Sequence, residues 1–532
     1  MAPANSSRKR KATEPEPEPE PVDAPAKTTK RTKTTKAPAP PKKAAAAPKK
    51  TAKKPSPAPE KTVKKPSPAP KKPAPKKPSP PPKKLVTKTT SKRVLNSPSE
   101  TKLHVYVMGD GSAGELGLGA TKKATDVSRP RLNALLEAAG VVDIAVGGMH
   151  SIALTADNKI LTWGVNDNSA LGRDTKQHDA KTKDVDDAES GSDSEDDDPG
   201  LDLNPLEATP TAIPSASFPE NTTFVQVAAG DSVSLALTDD GLVYGWGTFR
   251  DDKGIFGFSQ IHGHEVVPEQ ARPVLVKGLK NIKQITCGEN HALALDDKGA
   301  VWAWGCGKQD QLGRRLVGRH LENNLNPQPL NLPKKNQVES IAAGPNHSFA
   351  VLKDGSVYSW GLNSHMQTGI PYSAAKDDDI ITGPTKVKAL SDIKMISGGA
   401  RHSIALNTTG ELYSFGQLEN SALGADWQQY EDDEKMVRRG GDLQKPKIVM
   451  QPIKVAIEDP CKFIASGPEH NIALTEEGRA YSWGFNTSYN CGQGETDGDV
   501  EMPTLIDNTA VRTQKLVWAG CGGQFSMVGS AF

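Results

Sequence analysis

Seven times between residues 103 and 532 the sequence returns to one pattern, and nothing else in the chain constrains its fold so tightly. A short apolar alternation ends in Gly; two variable residues and His follow. A second alternation runs to an Asp-Gly or similar turn, and a third closes on aromatic-x-Trp-Gly. The stretch from Ile285 to Leu295 running on to Trp304-Gly305 is one copy, and Ile341 to Val351 running on to Trp360-Gly361 is another. The closing glycine falls at 109 (after Met in that first copy), 164, 247, 305, 361, 416 and 484. The spacing is 55 to 58 residues, apart from two gaps of 83 and 68. Period-2 alternation with Asp-Gly turns predicts antiparallel strands. Each copy supplies three strands and a fourth after a Leu-Gly loop, so the expected fold is all-β, a seven-bladed β-propeller. The ends are out of phase: the last copy holds only two strands, Leu516–Val528, and the chain enters at a third strand, Leu103–Met108. One blade is therefore expected to be closed by both termini, which leaves no free sheet edge there.

Charge divides the chain where the repeats begin. The formal net charge of +2 conceals 27 Lys/Arg against 7 Asp/Glu in the first hundred residues and 39 against 57 in the rest. The same hundred residues hold 23 of the 42 prolines and no aromatic residue. Such a segment cannot bury enough apolar surface to offset its ordering entropy, so residues 1–102 are expected to be a disordered basic tail and 103–532 the propeller. Arg8, Lys9, Arg10 and Lys11 form a compact cluster that reads as a nuclear-import signal, with an import receptor as partner. Lys-Lys-Pro-Ser-Pro recurs at Lys53–Pro57, Lys64–Pro68 and Lys76–Pro80, spacing paired positive charges along an extended chain. Phosphate neutralisation of that kind is blind to sequence and sensitive to salt, and makes DNA the leading partner of the tail. Ser56, Ser67, Ser79 and Ser97 each precede proline, where phosphorylation would trim the charge. Two inserts interrupt the repeats. One, about 176–204, carries ten acids in the nineteen residues Asp184–Asp202; the other, about 425–450, is a mixed-charge segment around Asp426–Lys447.

Several classes fall away. No apolar run approaches the roughly 18 residues of a membrane span, and the N-terminus lacks the apolar core of a signal peptide. Five cysteines without a C-x-x-C pair argue against a disulfide framework or a zinc site and fit a reducing compartment. Gly109 to Gly114 matches G-x-G-x-x-G but occupies a blade loop with no βαβ unit after it, and Gly305-Cys-Gly307-Lys308 lacks the spacing of a phosphate loop. His150, His291, His347, His402 and His470 fill one repeated position, which assigns them to structural hydrogen bonding. Trp163, Trp246, Trp304, Trp360 and Trp483 likewise recur at the repeat's own position, against a Trp-based light sensor. No Ser/His/Asp set or carboxylate pair stands out, so covalent chemistry, a cofactor and a metal are not expected.

Strand direction locates the working end. The first strand of each copy runs up to Gly-x-x-His and the third runs up to Trp-Gly, so both variable loops of every blade share one end of the ring. The residues before the His position are Gly148-Met149, Asp231-Ser232, Glu289-Asn290, Pro345-Asn346, Ala400-Arg401, Pro468-Glu469 and Gly523-Gln524: a varied, polar ring that reads as a contact surface. From the glycine after Trp to the loop glycine is eight residues in six copies but ten in one, Gly247 to Gly257. That blade projects a charged finger, Arg250-Asp251-Asp252-Lys253-Gly254, from the end that displays Asp231.

At these residues the chain resembles the regulator of chromosome condensation family, the chromatin-associated guanine-nucleotide exchange factors for the small GTPase Ran. The resemblance rests on Gly114-Glu-Leu-Gly-Leu-Gly119, Gly147-Gly-Met-His150, Ala170-Leu-Gly-Arg-Asp-Thr175, Gly230-Asp-Ser232, Thr238-Asp-Asp-Gly241 and Gly247-Thr-Phe-Arg-Asp251. It implies nuclear Ran-GTP production, serving transport and mitosis, with Arg250–Gly257 as the family's β-wedge. It also implies attachment of the tail to DNA and to nucleosomes or histones. Asp231, Arg250, Asp251, Asp252, Lys253 and Gly254 would act on the GTPase, and Ser112, Glu289, Asn290, Arg314 and Arg401 would bind it. Asn290 stands where the family has an Asp, and Arg401 where it has a His; Val233 and Phe525 replace the module histidine. The loop after Arg314 is shorter than the family's nucleosome-contacting segment and offers Arg315, Arg319, Lys334 and Lys335 as basic contacts. The rival reading is a non-catalytic chromatin scaffold, which leaves the single enlarged loop without a purpose.

Overall fold

Each sheet is built by one copy of the repeat, and the Gly-x-x-His element explains how neighbouring sheets nest. The computed structural model describes residues 94–176, 203–259, 266–314, 321–333, 336–371, 380–430, 432–440, 445–496 and 498–532. Among these residues six four-stranded sheets and one five-stranded sheet each carry a copy. Their innermost strands are Val141–Val146, Phe224–Ala229, Ile282–Cys287, Val338–Ala343, Ile393–Gly398, Cys461–Ser466 and Leu516–Cys521. These touch in that order, and the last touches the first. The chain is an all-β propeller. Its first strand, Leu103–Asp110, lies between Asp126–Leu132 and the last strand, Phe525–Ala531, with Leu103 opposite Ala531 and Gly109 opposite Phe525.

The repeated histidines tie sheet to sheet. His150 Nε2 lies 2.8 Å from Ser234 Oγ of the next sheet, His291 2.7 Å from Ser348 and His347 2.9 Å from Ser403. His470 reaches Ser526 at 2.8 Å, and His402 reaches Asn471 Oδ1 at 2.8 Å. Ser234 and Ser348 spend their one proton on the carbonyls of Ala170 and Gln311, and Ser403 spends its own on the carbonyl of Gln367 or His402. The facing imidazole nitrogen must therefore donate, which fixes the Nε2–H tautomer. The Cε1 side of the ring lies against the glycine three residues earlier: a Cβ on Gly288 would come within 2.2 Å of His291 Cε1. Where Val233 replaces His, the facing serine position is Ala292, and both are wholly buried in one apolar cluster. Where Phe525 replaces His, the corresponding serine is Ser151, whose Oγ is buried without a partner.

The tryptophans complete the seams. Trp163, Trp246, Trp360 and Trp483 donate Nε1–H to Glu115, Ala170, Gln311 and Ala422, each in the loop of the preceding sheet. Buried indoles demand such a partner. The loop glycine packs on the same ring, since a Cβ on Gly172 would fall 2.7 Å from Trp246 Nε1. On the channel side Gln284 grips Ile341 of the next strand by both N–H and C=O (3.1 and 3.2 Å). Asp143 takes an equivalent place and accepts the Val227 N–H at 2.9 Å, and burial pushes its carboxyl up to about 7.

Some features were not expected from the repeat. A short helix, Ala134–Ala139, precedes the inner strand Val141–Val146; Asn133 Oδ1 caps it by accepting from the Leu135 and Leu136 amides, and Gly140 ends it with φ 66°. The insert near 425–450 adds the strand Val437–Gly440 to the edge strand Lys445–Val455, giving the five-stranded sheet. Residues 94–102, grouped with the tail by composition, include an anchored stretch. Leu95 and Asn96 amides donate to Asp239 O, and Asn96 Nδ2 donates to Ile282 O at 2.8 Å. The import cluster Arg8–Lys11, the Lys-Lys-Pro-Ser-Pro motifs and the acids of Asp184–Asp202 lie outside the described residues.

Candidate functional site at one end of the ring

The enlarged loop folds as a separate three-stranded ribbon, Phe249–Asp251, Gly254–Ser259 and Val266–Val267. Phe249 pairs with Gly257, Arg250 with Ile255 and Asp251 with Gly254, so Asp252-Lys253 is a two-residue turn closed by a glycine at φ +109°. Asp251 Oδ1 accepts the Lys253 amide at 2.8 Å, a side-chain turn of the kind Asp favours. Phe249 is buried and packs with Phe258 and Trp304 in one cluster, roots for a hairpin whose tip is solvated.

Asp231 stands at the foot of this hairpin. The Thr248 amide donates to Ser232 O at 2.8 Å, and Val233 pairs with Gly247, which puts the finger and the Asp231 turn at the same end of the sheet. Arg250 Nη1 lies 3.3 Å from Asp231 Oδ2, and the Arg250 amide donates to Asn290 Oδ1 at 2.8 Å. Asn290 Nδ2 and Asn346 Nδ2 each reach a different oxygen of Glu289 at 3.3 Å. Partial desolvation, followed by the nearby Asp231 carboxylate, holds the Glu289 carboxyl above its ordinary range. For Asp251 desolvation acts upward, but the Lys253 amide and the Lys308 ammonium outweigh it and hold the carboxyl below the usual value. Five predicted residues, Asp231, Glu289 and Asn290 from two blade sheets and Arg250 and Asp251 from the ribbon, thus form one polar cluster.

The rest of the predicted set is distributed. Asp252 and Lys253 are exposed at the tip. Ser112 is exposed in the loop of the closing sheet, its amide on Asp110 Oδ1 at 2.8 Å. Arg401 is exposed in the turn after Ile393–Gly398, three sheets on from the finger. Arg314 turns onto its own sheet: Nη1 donates to Ala303 O at 3.0 Å, and burial pushes the guanidinium down to about 10. Arg173, also just after a loop glycine, does the same to Thr162 O at 2.8 Å. Within the rim ring, Ser232 is buried. Met149, Asp231, Glu289, Asn346, Glu469 and Gln524 line the mouth of a central cavity of about 630 Å³. Backbone bonds pass between neighbouring rim turns, from Gly523 N to Gly148 O and from Asp231 N to Glu289 O, so the ring edge is stiff. Arg315, Arg319, Lys334 and Lys335 lie outside the described residues.

Two participants escape a reading by residue type. Lys308 Nζ is 3.0 Å from Asp251 Oδ2 and also contacts Asp252. Ile255, across from Arg250, leaves half its surface in water. The signal for Lys308 was positional: it sits in the working-end loop of the sheet after the finger, opposite in charge to Asp251 and Asp252.

Fold and site define a class, a propeller whose stiff rim carries one charged hairpin braced against an acid. The chain belongs to the RCC1-like domain family, whose model matches residues 104–528. It is 39% identical to guanine nucleotide exchange factor SRM1 of Saccharomyces cerevisiae, over 84% of this chain and 92% of that one. The crystal structure of Prp20p from the same organism, a protein studied for its binding to Gsp1p and histones, superposes with a TM-score of 0.71 at 38% identity. That match covers 81% of this chain and 92% of the other. Yeast RCC1 (Prp20) bound to Kap60 gives a TM-score of 0.71 at 37% identity, covering 86% and 96%.

Proposed function

We propose that this protein is a guanine-nucleotide exchange factor for the small GTPase Ran, acting on chromatin in the nucleus and promoting GDP release without covalent chemistry. The carrying observation is the placement of the Arg250–Gly257 finger and Asp231 on one rim, joined by an ion pair and by the Arg250 amide on Asn290. The relatives' names support the class and the partners. SRM1 is a guanine nucleotide exchange factor, Prp20p is linked to Gsp1p and histones, and Kap60 is bound to Prp20. Arg8–Lys11 would engage an import receptor of the Kap60 kind, and the Lys/Pro-rich tail would supply sequence-blind contacts to DNA and nucleosomes.

The mechanism is linkage. A nucleotide held at picomolar Kd is bound by about 16 kcal/mol. A protein that prefers the nucleotide-free GTPase weakens that binding by its own differential affinity, and the nucleotide weakens the protein's hold in return. The tip residues Asp251, Asp252, Lys253 and Gly254 would displace the phosphate-binding loop and its magnesium. Asp231, Glu289, Asn290, Ser112 and Arg401 would hold the body of the GTPase, and the exposed Ile255 adds an apolar contact beside Arg250. Excess GTP then rebinds and expels the propeller. The test is release of fluorescent GDP from purified Ran. Deleting Asp251–Lys253 should return release to the rate without factor while fold and DNA binding persist. Undiminished exchange would refute the finger's role, and inactivity of the unaltered protein would favour the scaffold reading.

A further inference from the structure

The finger is short. Three paired residues and a two-residue turn make a ribbon that is marginal by itself in water. Its base is anchored by Phe249, and Arg250 is held by Asp231 and Asn290; beyond Arg250 the turn carries two adjacent carboxylates, Asp251 and Asp252. With Asp231 and Glu289 on the same rim, carboxylates there outnumber Arg250 and Lys253, and the excess of like charge opposes close seating of the tip on the ring.

Lys308 opposes that repulsion. It comes from the next sheet, in the loop after Trp304-Gly305, and its ammonium meets both tip carboxylates, at 3.0 Å for Asp251 Oδ2. The side chain of Asp251 is only 12% exposed and that of Lys308 32%, so this pair is better shielded than a surface ion pair. The other oxygen of Asp251 accepts the Lys253 amide and shapes the turn. One carboxylate therefore links the turn's internal geometry to a cation fixed on the neighbouring sheet. Asn290, which holds the Arg250 amide, belongs to that same sheet.

We propose that Lys308 is a positioning residue for nucleotide exchange: by neutralising Asp251 and Asp252 it holds the finger tip in the orientation that enters the GTPase. This rests on the exchange-factor reading above. Lys308 acts through the tip, so its loss lowers turnover more than it lowers partner affinity.

The experiment uses the full chain and Ran loaded with fluorescent GDP, with kcat and KM measured separately. Lys308→Ala should lower kcat roughly three- to tenfold, the range set by losing a shielded pair of contacts, with KM within about twofold. Lys308→Arg should retain most of the activity. Lys308→Glu should be worse than Ala, since it adds a third carboxylate beside Asp251 and Asp252. Amide hydrogen exchange of the free protein gives a readout independent of activity: residues 249–258 should exchange faster in Lys308→Ala and the blades should not. If the unaltered protein releases no GDP, the exchange-factor reading fails, while amide exchange still decides whether Lys308 orders the tip. If the unaltered protein is active, the inference is overturned by unchanged kcat or unchanged protection of the finger. It is equally overturned by a rise in KM alone, which would make Lys308 a direct partner contact.

Discussion

Replacing His291 by Val and Ser348 by Ala copies onto one seam the pair, Val233 and Ala292, that the protein already uses at another. The value of this double change is that it alters how the ring responds to acid. Burial pushes His291, His347 and His470 down to about 3 and His150 and His402 down to about 4, from 6.5. Each is neutral in the folded ring at pH 5 while the unfolded chain binds a proton there. Stability is therefore intact above about 6.5 and is lost as pH falls toward the depressed folded value. Between pH 7 and pH 5 one such imidazole costs about 2 kcal/mol, and five together about 10 kcal/mol, comparable to the whole stability of a typical domain. At pH 7 the Val/Ala seam should be weaker by about 1–2 kcal/mol through smaller side chains. At pH 5 that deficit should vanish or reverse, because one proton-linked penalty is gone. Urea unfolding followed by tryptophan fluorescence at both pH values gives the comparison, with other groups' contributions cancelling between parent and variant. Parallel loss of stability in the two proteins would refute the reasoning.

Other seams give further outcomes. Gly288→Ala places a methyl 2.2 Å from the His291 ring and should destabilise by about 1–3 kcal/mol, seen as a lowered unfolding midpoint. Asp143→Asn should raise stability at pH 8 by on the order of 2 kcal/mol and have little effect at pH 4. A folded carboxyl raised to about 7 is an asset at low pH that is lost as pH climbs through that value; pH-dependent melting curves test it. The 39 Lys/Arg against 57 Asp/Glu of residues 101–532 should speed encounter with a basic partner surface. The association rate measured by stopped flow should fall with salt, since screening shortens to about 8 Å at physiological ionic strength, and a salt-independent rate would remove that role.

Much of the architecture was legible because the same physical demand is written repeatedly. Gly-x-x-His announces a ring lying over a bare glycine, and aromatic-x-Trp-Gly announces an indole reaching into the loop of the preceding sheet. The enlarged loop at Gly247–Gly257 stood out only against six copies of normal length. What stayed hidden depends on contacts between copies. Val233 and Ala292 look like two unrelated departures until the seam puts them face to face. Arg314 and Lys308 are two cations in neighbouring stretches, yet one turns in upon Ala303 O and the other out upon Asp251, and residue type gives no hint of which. The helix Ala134–Ala139 is a single turn and a half, too short for periodicity to reveal, though Asn133 and Gly140 mark its ends.

The sheet that unites Leu103–Asp110 with Phe525–Ala531 has a consequence for how the molecule comes into being. During synthesis the strand at 103 leaves the ribosome hundreds of residues before the one it must lie against, and waits with an unclaimed flank. Every blade in between can form by local pairing, but the circle stays unlatched until Phe525–Ala531 emerges. A nascent chain stalled before that strand is thus an open crescent with one raw margin, which ties the control of its quality to the codons of Phe525–Ala531.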